Sequence, residues 1–147
     1  MKIVVDSSVW IAGIGSSKGF ASEVIFKSYK NPETEIFISD QILDEITKNL
    51  IEKIKCNENS AFRARVAVRN LCDYGIGISS KDTKNIKNSI HQKDNHILAL
   101  CEKVQADFLV TFDRKHLLPL KKFGKTQILE PKDFILGSTN ATNYEQI

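Results

Sequence analysis

The N-terminal stretch constrains the fold of this chain more than any other segment. Residues 3–5 form an unbroken run of β-branched side chains, and Asp6, Ser7 and Ser8 follow before the pattern turns apolar again. This order predicts a buried strand that ends at a turn into a helix. Ligands of open α/β sheets bind outside the carboxyl ends of the strands, so Asp6 is the first candidate functional residue. Asp and Ser are also common helix N-caps, and capping alone would account for Asp6.

The size and composition of the chain indicate one cytoplasmic domain. Its 147 residues are about one domain's length, and they contain no apolar run of the roughly 20 residues that a membrane helix needs and no signal-peptide pattern. Three cysteines without C-x-x-C spacing predict free thiols. The histidines lack the four-residue spacing of a helical zinc pair, so a histidine metal site is not expected. They are His91, His96 and His116.

Strand-like and helix-like segments alternate along the chain. Beyond the first strand, strands are predicted at residues 35–39, 74–79, 107–113 and 127–129. Helices are predicted at residues 9–14, 21–29, 41–55, 58–73, 91–106 and 131–135. The segment 74–79 has two glycines and reads as an edge strand. The alternation predicts a parallel sheet with helices on both faces, in one domain over residues 1–137, followed by a polar, disordered tail at 138–147.

A second strand also ends in an acid. Asp113 follows an apolar run, as Asp6 does, and the two carboxylates meet if their strands are neighbours. Glu45, in the first turns of a helix after the second strand, can lie near the same edge. Its position away from the apolar stripe, however, favours a solvated glutamate near a helix N-terminus. Ser8 and Thr111 are hydroxyl residues beside the acids that can hold ligands or water in place.

Asp94 lies on the apolar face of its predicted helix. Residues 97, 98 and 101 share that face and are Ile, Leu and Cys. A buried carboxylate needs a basic side chain or a metal ion as partner, because an unpaired ion in the interior costs several kcal/mol. No Lys or Arg shares this face within a turn, so a metal ion is the favoured partner.

Several carboxylates without histidine or cysteine would form an all-oxygen site, which suits Mg²⁺ or Mn²⁺. Such ions promote hydrolysis of phosphodiesters by activating water and stabilising the leaving oxygen. If four of the 18 acidic residues bind metal, the remaining 14 are outnumbered by the 21 basic residues, and the rest of the surface is positively charged. Basic clusters occur at 48–55, 63–69, 81–93 and 121–125, and they are either solvated helix faces or phosphate-binding surfaces.

Four segments resemble the PIN domain family, and the last two are the most specific. They are IVVDSSVW, ILDEI, KDNHILALC and ADFLVTFDRKHLL, within a similarity that runs from Lys2 to about Leu136. The subgroup that the chain resembles contains toxins of bacterial and archaeal toxin–antitoxin operons. The resemblance implies that Mg²⁺ or Mn²⁺ is bound by Asp6, Glu45, Asp94 and Asp113, with Ser8 and Thr111 supporting. Many members have a further acid near Asp94, where this chain has Lys93 and Asn95, which weakens the case for a second metal ion.

The resemblance also implies the architecture and the activity. The expected fold is a three-layer α/β/α sandwich with a mostly parallel five-stranded sheet in the order 3-2-1-4-5. The expected activity is cleavage of RNA by a metal-activated water, leaving 5′-phosphate ends, with an antitoxin protein as partner. The sequence is compatible with a homodimer, and no substrate-binding residue is predicted.

Two alternatives to a ribonuclease are kept. One is a PIN-like scaffold that binds RNA or protein without cutting, against which the presence of all four acids argues. The other is a phosphatase of the haloacid dehalogenase type, with Asp6 as nucleophile. That family needs an acid two residues after the nucleophile, and this chain has Ser8 there.

Overall fold

The computed structural model describes residues 1–137 and has a six-stranded sheet at its centre. The strands are β1 (Lys2–Val5), β2 (Glu35–Ser39), β3 (Tyr74–Ile76), β4 (Phe108–Val110), β5 (Lys122–Phe123) and β6 (Thr126–Leu129). Their order is β3-β2-β1-β4-β6-β5, and all neighbours are parallel except β5 and β6. The five parallel strands therefore have the predicted order, and the predicted edge strand is confirmed as β3. The predicted tail lies outside the described residues.

The strand that the sequence did not predict is β5. Phe123 pairs with Thr126, so β5 and β6 are joined by a two-residue hairpin loop. Gly124 opens this loop with a φ of +59°, the left-handed region that favours glycine. The sheet has six strands rather than five because this hairpin adds an antiparallel edge. A two-residue strand is too short to show the alternation by which strands are recognised.

In the part of the chain that the structure describes, seven α-helices surround the sheet. They are α1 (Ser7–Gly15), α2 (Phe20–Lys30), α3 (Asp40–Glu52), α4 (Glu58–Leu71), α5 (Ser80–Lys84), α6 (Asn95–Val104) and α7 (131–137). Right-handed crossovers from β1 to β2 to β3 place α1–α4 on one face, and the return to β4 places α5 and α6 on the other. The contacts agree, since α1 packs on α2 and α3, α3 on α4, and α5 on α6. The predicted three-layer sandwich is confirmed.

The two central strands are buried on both faces. Ile3, Val4 and Val5 are at most 1% exposed, and Leu109 and Val110 are fully buried. This burial explains why both strands read as continuous apolar runs. The three cysteines are free thiols, as expected. Among residues 1–137 there is no helix long and apolar enough to span a membrane.

Helices α1 and α2 pack closely at Gly13, which makes this position a test of the packing. A Cβ at Gly13 would lie 2.3 Å from Cδ1 of Ile25. Gly13→Ala is therefore expected to lower the free energy of unfolding by about 1 kcal/mol, because overpacking outweighs the gain in helix propensity. Chemical denaturation measures the change. Ile25→Val removes Cδ1, so the double variant is expected to lose less than the sum of the two single changes, and strict additivity would contradict the clash.

Candidate metal centre

The candidate site lies beyond the carboxyl ends of β1 and β4. Asp6 is the first residue after β1, and Asp113 is the third residue after β4. The strands are neighbours, and the backbone N–H of Asp6 donates to the carbonyl of Val110 at 2.9 Å. The structure therefore brings the two strand-ending acids to one edge of the sheet.

Asp6 is a buried carboxylate whose two oxygens both accept hydrogen bonds. Oδ1 accepts from the backbone N–H of Ser7 at 2.8 Å, and Oδ2 accepts from the hydroxyls of Ser8 at 2.9 Å and Thr111 at 2.7 Å. Both hydroxyls accept in turn from backbone N–H groups of the loop after β4, at 3.3 and 3.0 Å. The two hydroxyl groups therefore donate their protons to Asp6. Asp6 is also the N-cap of α1, so capping and site membership coexist.

Asp94, Asp113 and His116 form a group of possible metal ligands. One atom from each lies within 4.8 Å of the other two. Nδ1 of His116 is 3.8 Å from Oδ2 of Asp94 and 3.8 Å from Oδ2 of Asp113. Oδ1 of Asp113 accepts from the backbone N–H groups of Lys115 and His116, both at 3.0 Å. The other oxygen of Asp113 is therefore the one that faces the group.

Asp94 closes a short 3-10 turn, Gln92–Asp94, rather than lying inside a helix. The sequence predicted a helix from residue 91, but α6 begins at Asn95. The side chain of Asp94 is half-buried, and its Oδ2 is a buried atom without a hydrogen-bond partner among residues 1–137. Such an orphaned oxygen beside a second carboxylate is an environment that a bound cation would stabilise. With oxygen donors from two carboxylates, the group fits a divalent ion such as Mg²⁺ or Mn²⁺.

Glu45 is connected to the site by two hydrogen bonds. Its Oε2 accepts from the hydroxyl of Ser7 at 2.8 Å, and its Oε1 is hydrogen-bonded to Nε2 of His96. Glu45 is on α3 and His96 on α6, so the pair joins helices from opposite faces across the edge of the sheet. The helical position favoured a solvated glutamate, and the side chain is still 39% exposed, but both of its oxygens also have protein partners.

Burial and repulsion raise the pKa of two of these acids. Desolvation is the largest cause of the raised pKa of Asp6, and the charge of Glu45 adds to it, while hydrogen bonds from neighbouring groups oppose it. The pKa of Asp94 is raised first by desolvation and then by the charge of Asp113, and His116 offsets part of this rise. Both shifts mean that negative charge is unfavourable at this edge of the sheet, and a divalent cation would offset that cost.

The sequence did not predict three members of this network, namely Ser7, His96 and His116. The sequence predicted an all-oxygen group, whereas the structure places His116 beside Asp94 and Asp113. The three-residue spacing of Asp113 and His116 could have indicated their proximity, because one helical turn brings such residues to the same side. No sequence pattern could place His96 opposite Glu45, since their contact depends on packing across the sheet edge.

Comparisons with known proteins agree with this fold. A family model described as a PIN domain matches residues 2–115. Similar solved structures include VapC20 of Mycobacterium tuberculosis, described as a sarcin-ricin loop cleaving toxin, with a TM-score of 0.59 and 16% identity over 85% of this chain and 98% of that one. VapBC2 from Rickettsia felis, bound to a DNA fragment from its promoter, has a TM-score of 0.59 and 18% identity over 88% and 98%. VapBC-1 from nontypeable Haemophilus influenzae has a TM-score of 0.63 and 14% identity over 90% and 99%. A comparison with curated proteins gave no match.

Proposed function

This chain belongs to the PIN domain family, and from that premise we propose that it is a Mg²⁺- or Mn²⁺-dependent endoribonuclease, the toxin of a toxin–antitoxin pair. The observation that carries the proposal is the pairing of Asp94 with Asp113 at the sheet edge. Oxygens of the two carboxylates lie within 4.8 Å of each other, and one of them is buried without a hydrogen-bond partner among residues 1–137. Two like charges at this distance are unfavourable without a cation between them.

Each residue of the site has a distinct part in the proposal. The cation would be held by Asp6, Glu45, Asp94 and Asp113. Ser8 and Thr111 fix the carboxylate of Asp6 by hydrogen bonds, so that it is presented in one orientation. When bound, the divalent cation supplies Lewis-acid activation of water and of the phosphoryl oxygens. Attack of water at phosphorus with loss of the 3′-oxygen leaves a 5′-phosphate.

A groove lined in part by the two sequence neighbours of Asp94 is consistent with a polyanionic substrate. Its volume is about 540 Å³, and its lining includes Lys84, Lys93 and His96. Two lysines can contact RNA phosphates on the approach to the acidic edge, where the cation would meet the scissile group. Carboxylates alone would repel the phosphates of RNA, and the lysines of the groove would attract them.

The toxin assignment rests on likeness in fold. VapC20 is described as a toxin that cleaves the sarcin-ricin loop, and two further neighbours are VapBC structures. These likenesses support an RNA substrate and a cognate antitoxin that restrains the activity, in the cytoplasm. Whether two copies of the chain form a homodimer is open to measurement by light scattering.

The proposal is tested by incubating structured RNA with the purified chain in Mn²⁺, in Mg²⁺ and in EDTA. Cleavage is expected only with metal, and Glu45→Gln is expected to slow it at least about 10-fold, because its neutral side chain holds a cation poorly. Asp44→Asn is the matched control, since Asp44 pairs with Arg65 at 2.7 Å and not with the site. Equal cleavage in EDTA would exclude the metal mechanism. Absence of cleavage by a chain that binds Mn²⁺ would favour the scaffold alternative.

A further inference from the structure

The turn after β4 presents a nitrogen atom to the acidic pair. Oδ1 of Asp113 accepts the backbone N–H groups of Lys115 and His116, and the Asp113 carbonyl accepts from the N–H of Leu118 at 2.9 Å. Leu117 is 1% exposed and anchors the turn in the core. Backbone hydrogen bonds and a buried leucine therefore fix the position of His116, and its imidazole contributes to neither.

Nδ1 of His116 is equally distant from the two carboxylates. Its separation from Oδ2 of Asp94 and of Asp113 is 3.8 Å in both cases, which is too long for a hydrogen bond. Two ligands of one octahedral cation with bonds of about 2.1 Å lie about 3 Å apart when adjacent and about 4 Å apart when opposite. The two separations of 3.8 Å lie between these values, so the three atoms are close enough to converge on one ion after a small adjustment of the side chains.

The ring of His116 has a supporting neighbour. The imidazole of His91 packs against it, with ring centroids 4.7 Å apart and planes inclined by 37°. The ring of His91 is itself held, because its Nδ1 accepts from the backbone N–H of Lys93 at 3.1 Å. Support of this kind restricts the orientation of a ligating side chain.

From these contacts we infer that Nδ1 of His116 is a metal ligand alongside Asp94 and Asp113, and that the site therefore prefers Mn²⁺ or another first-row transition ion over Mg²⁺. The inference rests on the metal centre of the proposed function and adds a nitrogen donor to it. Mg²⁺ takes oxygen ligands almost entirely, whereas imidazole suits transition ions. An imidazole donor also adds no negative charge, so the charge of the site stays lower than with a further carboxylate.

Pulsed electron paramagnetic resonance of the Mn²⁺-loaded chain tests the inference. A ¹⁴N coupling from a directly bound imidazole is expected in the wild type, and it is expected to change to the ¹⁵N pattern when histidine is isotopically labelled. His116→Gln is expected to lose the coupling and to weaken Mn²⁺ binding about 10-fold in calorimetry while changing Mg²⁺ binding little. His91→Gln and His96→Gln each keep Nδ1 of His116 and should therefore keep a nitrogen signal, although His91→Gln also removes the neighbouring ring. Asp44→Asn, whose acid pairs with Arg65, is the matched control for Mn²⁺ affinity.

The outcomes separate this inference from the proposed function. Mn²⁺ bound without nitrogen coupling, together with metal-dependent cleavage, would overturn the role of His116 and leave the ribonuclease intact. A wild-type chain that binds no Mn²⁺ would overturn both. If His116→Gln folds poorly, retention of the nitrogen coupling in both His91→Gln and His96→Gln still assigns it to His116, the remaining one of the three histidines in the chain.

Discussion

Replacing Asp113 with asparagine is expected to slow metal-dependent RNA cleavage on the order of 100-fold or more while leaving the fold intact. The amide oxygen can still accept the backbone N–H groups of Lys115 and His116, which hold the turn after β4. What the variant lacks is the negative charge that faces Asp94. Initial rates on one RNA at several Mn²⁺ concentrations measure the loss, and circular dichroism checks the fold.

The matched control for Asp113→Asn is Asp107→Asn, because the two acids flank the same strand at opposite ends. Asp107 accepts from the backbone N–H of Lys2 at 2.8 Å and pairs with Lys125 at 3.2 Å, far from the site. Cleavage by Asp107→Asn is expected to be unchanged. The hydrogen bond from Lys2 lowers the pKa of Asp107, so its contribution to stability is present above the unfolded pKa of about 4 and is lost as pH falls through the folded pKa. At pH 7 the control should lose about 0.5 kcal/mol of stability, a small value because this side chain is partly exposed.

A normal rate for Asp113→Asn would show that this carboxylate does not hold the cation. Equal losses of rate in Asp113→Asn and Asp107→Asn would instead point to a general effect on folding. The proposed role of Asp113 requires one variant to lose activity and the other to lose only stability.

The sequence determined the centre of the sheet better than its edges. Residues 3–5 and 109–110 are buried, and such strands need an unbroken apolar run that is visible without a structure. The strand β5 has two residues. It forms because a two-residue hairpin loop that begins with Gly124 lets it pair with β6. The sequence feature that indicates β5 is the turn that follows it. A search for alternating apolar and polar residues therefore misses this strand.

The same distinction applies to the candidate site. Asp6 and Asp113 could be found because each directly follows a predicted strand, where chain order alone brings them together. Asp94 was found from its apolar neighbours, although α6 begins one residue after Asp94 and four residues later than predicted. Glu45 could not be found from periodicity, because its partners Ser7 and His96 reach it from other elements.

Asp94→Asn is expected to make the metal-free protein more stable, by about 1 kcal/mol at pH 7. The change removes a half-buried charge beside Asp113, and the new amide can donate to a carboxylate oxygen where Oδ2 now has no partner among the described residues. Thermal and urea denaturation in EDTA measure the gain. The pKa of Asp94 is raised in the folded chain, so wild-type stability falls as pH rises from the unfolded pKa through the folded one. The advantage of the variant should therefore be largest near neutral pH and shrink toward about pH 4.

Mn²⁺ is expected to reverse this order of stability. An ion at 100 times its dissociation constant adds about 2.7 kcal/mol to the wild type, and Asp94→Asn should gain much less because a ligand is missing. Asp44→Asn, whose acid pairs with Arg65, should respond to Mn²⁺ as the wild type does. A variant that is less stable than the wild type in EDTA would mean that Asp94 has a structural partner, and equal stabilisation of both by Mn²⁺ would place the ion elsewhere. The wild type is expected to be the less stable protein in EDTA and the more stable one in Mn²⁺. This reversal follows only if the charge of Asp94 is unfavourable in the metal-free protein and is needed to bind the cation.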